Sequence, residues 1–113
     1  MIFSQRLLDE PFIGETVKDL PSILYSLNRN IPVFNIYLII SCSNSNNIFE
    51  IISSFEFVKK RYHQKDFKII GIAGGKYEAY DIIRHILQIA CDKNIQINDI
   101  LSAIENGDLW WMQ

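Results

Sequence analysis

Two apolar runs of strand length constrain the fold of this chain: VFNIYLIISC at residues 33–42 and FKIIGIA at residues 67–73. The first run is apolar on both of the faces that a strand would present, which is typical of a central strand covered by helices on each side. Each run leads through a short polar or glycine-containing loop into apolar residues at helical spacing. The pattern predicts an α/β fold.

The segment between the two runs predicts a helix, because apolar residues from Ile48 to Tyr62 recur at three- and four-residue intervals. A longer helix is predicted over about 77–92, with this inner face: Ala79, Tyr80, Ile83, Ile86, Leu87 and Ala90. A helical crossover of this length joins parallel strands through a right-handed connection. We therefore expect a β-α-β-α core in which the strands at about 33–42 and 67–73 are parallel.

The two ends of the chain add smaller elements to this core. Apolar residues from Val17 to Leu27 predict an N-terminal helix. A short C-terminal helix is predicted to stop at Asn106-Gly107, a natural end signal. Residues 1–8 fit an edge strand or a helical lead-in, before a loop at Pro11.

Length, charge and cysteine content narrow the class of protein. The length fits a single α/β domain, residues 1–113, whose core needs no metal or disulfide. The formal net charge of -2 disfavours sequence-independent nucleic-acid binding by the chain as a whole. No apolar stretch reaches the ~20 residues of a membrane span. Cys42 and Cys91 lie far apart without metal-ligand spacing, which favours reduced thiols in a cytoplasmic protein with no metal or cofactor.

The predicted core is incomplete, because two strands alone make a poor sheet. Either the N-terminal segment supplies a third strand or two chains share one continuous sheet, and on this ground we expect a homodimer. Trp110 and Trp111 form a second sign of an interface, since adjacent tryptophans are costly to leave in water. They either cover the core of their own chain or contact a partner, and the sequence leaves both interpretations open.

The loops that follow the two predicted strands form the first candidate site. If the strands are parallel, both loops emerge at one edge of the sheet, each before a helix N-terminus whose N–H groups favour anions. The candidate ligands for a phosphate-type anion are Cys42, Ser43, Ser45, Gly74, Gly75 and Lys76. The alternative is structural, because serine and glycine are also ordinary residues of capping turns.

These loops carry no enzyme motif. Residues 71–76, GIAGGK, lack the GxxxxGK[ST] spacing of a phosphate-binding loop, and Tyr77 stands where that loop needs serine or threonine. Cys42 could act as a nucleophile beside a helix N-terminus, but Ile48 stands where a phosphatase-like loop needs arginine. No catalytic residue is assigned, so the leading hypothesis is a non-enzymatic interaction or regulatory protein. A protein that binds small anions or handles phosphoryl groups is the alternative.

A basic run is the second candidate site, for nucleic acid. Its residues are Lys59, Lys60, Arg61, Lys65 and Lys68. A concentrated cluster of cations can bind nucleic-acid phosphates. The alternative is a solvated helix C-terminus, where cations complement the helix dipole without a partner. The acidic balance of the whole chain favours this alternative.

Overall fold

The described part of the chain contains a mixed sheet of four strands. The structure, a computed structural model, describes residues 2–42, 48–59 and 67–107. Its strands are β1 (Leu7–Ile13), β2 (Tyr37–Cys42), β3 (Glu50–Ser53) and β4 (Phe67–Ala73). The strand order is β1-β4-β2-β3. Strand β1 is parallel to β4, whereas β2 is antiparallel to both β4 and β3.

Helices lie on both faces of this sheet. They are α1 (Ile2–Arg6), α2 (Leu20–Asn28), α3 (Ser54–Phe57), α4 (Lys76–Asp92) and α5 (Ile100–Glu105), the last preceded by a 3₁₀ turn (Ile97–Asp99). The predicted α/β class is confirmed, and α4 confirms the long helix expected over about 77–92. Helices α2 and α5 confirm the expected N-terminal and C-terminal helices.

The predicted parallel arrangement of the two apolar runs is wrong. Tyr37 pairs with Ala73 and Cys42 pairs with Phe67, so β2 and β4 run in opposite directions. The reason is that the segment between them is not a crossover helix. After β2 the chain turns back as β3, which pairs antiparallel with β2, and α3, of four residues, is the helix found among the described residues 48–59.

Local chemistry explains why residues 50–53 form a strand and α3 begins only after them. Ile51 and Ile52 pair with Ile39 and Leu38 of β2, so that one isoleucine enters each face of the sheet. The Ser53 side chain then caps α3 by accepting a hydrogen bond from the Glu56 N–H at 3.2 Å. Branched aliphatic residues suit a strand at least as well as a helix, and here the pairing with β2 decides between them.

Residues 7–13 complete the sheet within a single chain. They form β1, which includes Pro11, a residue that the sequence had indicated as part of a loop. Proline is tolerated here because β1 is an edge strand, and its register against β4 is irregular between Leu7 and Phe12. The sheet therefore does not need a second chain to reach four strands, and the incomplete-sheet argument for a homodimer no longer applies.

The central strands are buried on both faces, as the apolar runs predict. On one face, the α2 face, α1, α2 and α3 cover a core that includes Leu38, Ile40 and Ile69. On the other, the α4 face, α4 and α5 cover a core that includes Ile39 and Ile70. Alternate residues of β2 thus enter different cores.

Phe57 anchors α3 in the core of the α2 face and provides a test of this arrangement. Its ring is fully buried and makes edge-to-face contacts with Phe3 and Phe67, at centroid distances of 5.7 Å and 6.2 Å. Phe57→Ala should lower the free energy of unfolding in urea by about 3 to 5 kcal/mol, through lost burial and the cavity left behind. The matched control is Phe55→Ala in the same helix, where the ring is 51% exposed; its cost should not exceed about 1 kcal/mol. Equal losses would contradict the placement of α3.

Candidate functional site

The two strand ends that precede the loops of the predicted anion site lie at opposite ends of the β2–β4 pair. Cys42 ends β2 and is paired with Phe67, the first residue of β4. Gly74, Gly75 and Lys76 follow the last residue of β4, beside the start of β2. The expected meeting of both loops at one edge is therefore wrong, because it required parallel strands. Ser43 and Ser45 lie outside the described residues, so their roles stay predictions.

The turn after β4 meets a different partner, the turn after β1. The Glu78 carboxylate, in the first turn of α4, accepts hydrogen bonds from the Gly74 N–H at 2.7 Å and the Thr16 N–H at 2.9 Å. The Thr16 hydroxyl donates to the same carboxylate at 2.7 Å. We call this arrangement of Gly14, Thr16, Gly74 and Glu78 the Glu78 clasp. It joins the carboxyl ends of two parallel neighbouring strands.

Two glycines make room for the Glu78 clasp. A Cβ atom on Gly14 would overlap the carboxylate of Glu78, and a Cβ atom on Gly74 would overlap the hydroxyl of Thr16. The structure therefore supports a packing role for Gly74, because the absence of a side chain lets Thr16 approach its backbone closely. An external anion at this turn would compete with the Glu78 carboxylate for the Gly74 N–H.

Hydrogen bonding also determines the charge state of Glu78. Partial burial raises the pKa of this carboxyl, but the hydrogen bonds from Gly74 and Thr16, with a smaller effect of Lys18, lower it by more. The net pKa lies below the ordinary value of 4.5. The carboxylate is therefore ionised at neutral pH and acts as a built-in anion near the N-terminus of α4.

A small cavity of about 190 Å³ lies next to the Glu78 clasp, lined partly by Glu15, Asp81 and His85. Asp81 forms an ion pair with Arg84 on the same helix. Among the described residues, no group of three or more histidine, cysteine, aspartate or glutamate side chains could hold a metal ion.

The basic run is only partly within the described residues. Lys60, Arg61 and Lys65 lie outside them, as do Trp110 and Trp111. Lys59 is exposed. Lys68 is also exposed, and its Nζ lies 3.7 Å from a carboxylate oxygen of Glu105, a surface pair of small energetic value. Nucleic-acid binding by this run stays a prediction.

An apolar groove between β3 and α4 is the feature that the sequence analysis missed. We call it the β3–α4 groove; its volume is about 620 Å³. The apolar residues that line it are Ile48, Phe49, Ile51, Ile52, Tyr80, Ile83 and Leu87, and its charged residues are Glu50, Glu56 and Lys76. Tyr80 is 45% exposed and Leu87 is 40% exposed. These exposed fractions are large for apolar side chains that the sequence predicted to face the core.

The signal for this groove was the width of the apolar face of α4. The buried residues of the helix are Ala79, Ile82, Ile86 and Ala90. Tyr80, Ile83 and Leu87 follow one another at three- and four-residue spacing along a neighbouring stripe. A helix that packs on one sheet needs only a limited apolar face, so the additional stripe indicates a further contact.

Comparisons with protein-family models, with curated proteins and with solved structures found no match to this chain. Within the described residues, no helix is long and apolar enough to cross a membrane. The function of the chain therefore has to follow from its own surfaces.

The Glu78 clasp generates a prediction about stability and pH. Because the pKa of Glu78 is lowered by folding, the clasp stabilises the fold fully above pH 4.5 and loses this effect as the pH falls through the lower, folded-state value. Glu78→Gln should lower the free energy of unfolding at pH 7 by about 1 to 2 kcal/mol, since hydrogen bonds to a charged acceptor are lost. Urea titrations at several pH values measure the difference from wild type, which should shrink below pH 4.5.

The control for this prediction is Glu15→Gln, which makes the same change of charge at an exposed neighbour of Thr16. It should leave the stability close to that of wild type. A Glu78→Gln deficit that stays constant down to acid pH would show that the carboxylate charge contributes nothing to the clasp.

Proposed function

We propose that this chain is a non-enzymatic interaction module that works as a homodimer, and that the β3–α4 groove is its self-association surface. The observation that carries the proposal is the exposed apolar stripe of α4 next to the edge strand β3. Contiguous apolar surface with a polar rim is typical of a protein interaction site. An edge strand beside it adds backbone groups that can pair with another chain.

The occupant we propose is a second copy of the chain, related by a two-fold axis perpendicular to the sheet. Such an axis pairs β3 with its copy in antiparallel fashion and extends the sheet to eight strands. Residues that lie directly opposite each other in two paired strands point to the same face of the sheet. The two-fold axis therefore has to pass through a residue of β3 and not between two residues. Centring on Ile51 sets Glu50 opposite the second copy's Ile52, because both side chains lie on the α2 face. No two carboxylates then lie directly opposite each other. This favours the pairing, because like charges at directly opposite positions destabilise a strand pair.

The same axis brings the two α4 helices together on the other face of the sheet. Ile51 lies on the α4 face, so the copies of α4 flank the strand pair and run antiparallel to each other. The stripe from Lys76 to Leu87 is about 16 Å long at 1.5 Å per residue. A stable interface buries about 800 Å² per partner, and this requires the helix stripe in addition to the strand edge.

The cytoplasm is the compartment that we propose for this dimer. Cys91 is a free thiol on an exposed part of α4. Exposed free thiols persist in reducing compartments, whereas oxidising compartments convert them to disulfides.

Leu87→Glu tests the proposal. It places a charge within the apolar helix stripe, at its C-terminal end, so it should raise the dimer dissociation constant at least about tenfold, as expected when an apolar interface residue becomes charged. Sedimentation velocity over a range of protein concentrations measures the change. The matched control is Ile97→Glu in the 3₁₀ turn outside the groove, where the side chain is 64% exposed; it should leave the dimer intact.

Circular dichroism of both variants verifies that each remains folded. Wild-type protein that stays monomeric at high micromolar concentration would refute the proposed homodimer. Equal weakening by Leu87→Glu and Ile97→Glu would show that the dimer uses a surface other than the β3–α4 groove.

A further inference from the structure

A second groove lies along the opposite edge of the sheet, between β1 and the end of α5. We call it the β1 groove; its volume is about 600 Å³. Its apolar lining includes Leu8, Phe12 and Ile104, and its polar lining includes Lys68 and Glu105. In the described part of the chain, β1 forms backbone pairs only with β4. The outer backbone edge of β1 therefore needs water or another segment to satisfy its polar groups.

We propose that residues 108–113 of the same chain, Asp-Leu-Trp-Trp-Met-Gln, dock along the β1 groove and cover this edge. The first argument is where the preceding residues lie. Asn106 and Gly107 both line the groove, so the segment begins at its wall. Docking in the same chain needs no change in the position of α5.

The second argument is the direction and reach of the chain after α5. Gly107 has φ 79°, the left-handed conformation that ends helices, and its N–H donates to the Ile104 carbonyl at 3.1 Å. This conformation turns the chain away from the helix axis. Six extended residues reach about 20 Å, and the seven residues of β1 span about 23 Å at 3.3 Å per residue. The segment is thus long enough to follow most of the strand.

The third argument is chemical. Four of the six residues are large and apolar: Leu109, Trp110, Trp111 and Met112. Each tryptophan can bury 150–250 Å² or thereabouts, and its indole N–H needs an acceptor when it is buried. The β1 groove offers apolar contacts at the partly exposed Leu7 and Leu8 together with the backbone acceptors of an edge strand. Covering an edge with a segment of the same chain is a common protection against unwanted strand pairing.

Tryptophan fluorescence tests the inference directly, because the chain contains 2 tryptophans and both belong to this segment. Docking predicts an emission maximum at shorter wavelength than that of the unfolded chain, with protection from acrylamide quenching. Leu8→Lys in the β1 groove should shift the emission to longer wavelength and increase quenching several-fold. The matched control is Ile97→Lys in the 3₁₀ turn, where the side chain is 64% exposed and lines neither groove; it should leave both signals unchanged.

A second measurement covers the case in which Leu8→Lys fails to fold. Removal of residues 108–113 should accelerate amide hydrogen exchange in β1 while leaving exchange in β3 as it is. Solvent-exposed emission in the wild type, or a shift caused by Ile97→Lys instead of Leu8→Lys, would overturn the inference. Protection that rises with protein concentration would do so too, since it would indicate docking on a second copy.

Discussion

The antiparallel pairing of β2 with β4 is the interaction on which the rest of the structure depends. The two strands pair from Tyr37 and Ala73 at one end to Cys42 and Phe67 at the other, and their alternate side chains supply both cores. Because β2 runs against β4, the glycine turn after β4 lies beside the start of β2 instead of its end. The parallel neighbour β1 brings its own carboxyl end to that turn, and the Glu78 clasp forms where the two ends meet.

The clasp explains why this end of the sheet is not the site we propose for function. Carboxyl ends of parallel strands next to a helix N-terminus are common places for anionic ligands. Here the carboxylate of Glu78 already accepts the Gly74 and Thr16 N–H groups, for which a ligand would have to compete, and Gly14 and Gly74 leave it the space to do so. The positive end of α4 is thus stabilised from within the chain, and the surface that we propose for a partner is instead the β3–α4 groove.

How much of the fold the sequence could predict depends on how far apart in the sequence the interacting residues lie. Burial on both faces leaves a local signal, so β4 and α4 were predicted within one residue of their observed bounds, whereas β2 ends at Cys42 as predicted but begins at Tyr37 instead of about residue 33. The strand that contains Ile51 and Ile52 was not predicted, because the spacing of the apolar residues in this segment fits a helix and only pairing with β2 makes it a strand. The contact between Thr16 and Glu78 joins residues separated by 62 positions, and neither residue has an unusual neighbourhood in the sequence. Long-range polar contacts of this kind leave no periodicity to detect.

The two edges of the sheet differ in a way that matches the occupants we propose. Strand β3 has an unbroken register against β2 over four consecutive pairs, so its outer edge is regular enough to accept an added strand. Strand β1 contains Pro11, which lacks an N–H group, and its register against β4 is irregular. An edge interrupted in this way is a poor template for an identical strand. It suits a short, irregular segment that contacts it mainly through large side chains, which is the chemistry of residues 108–113.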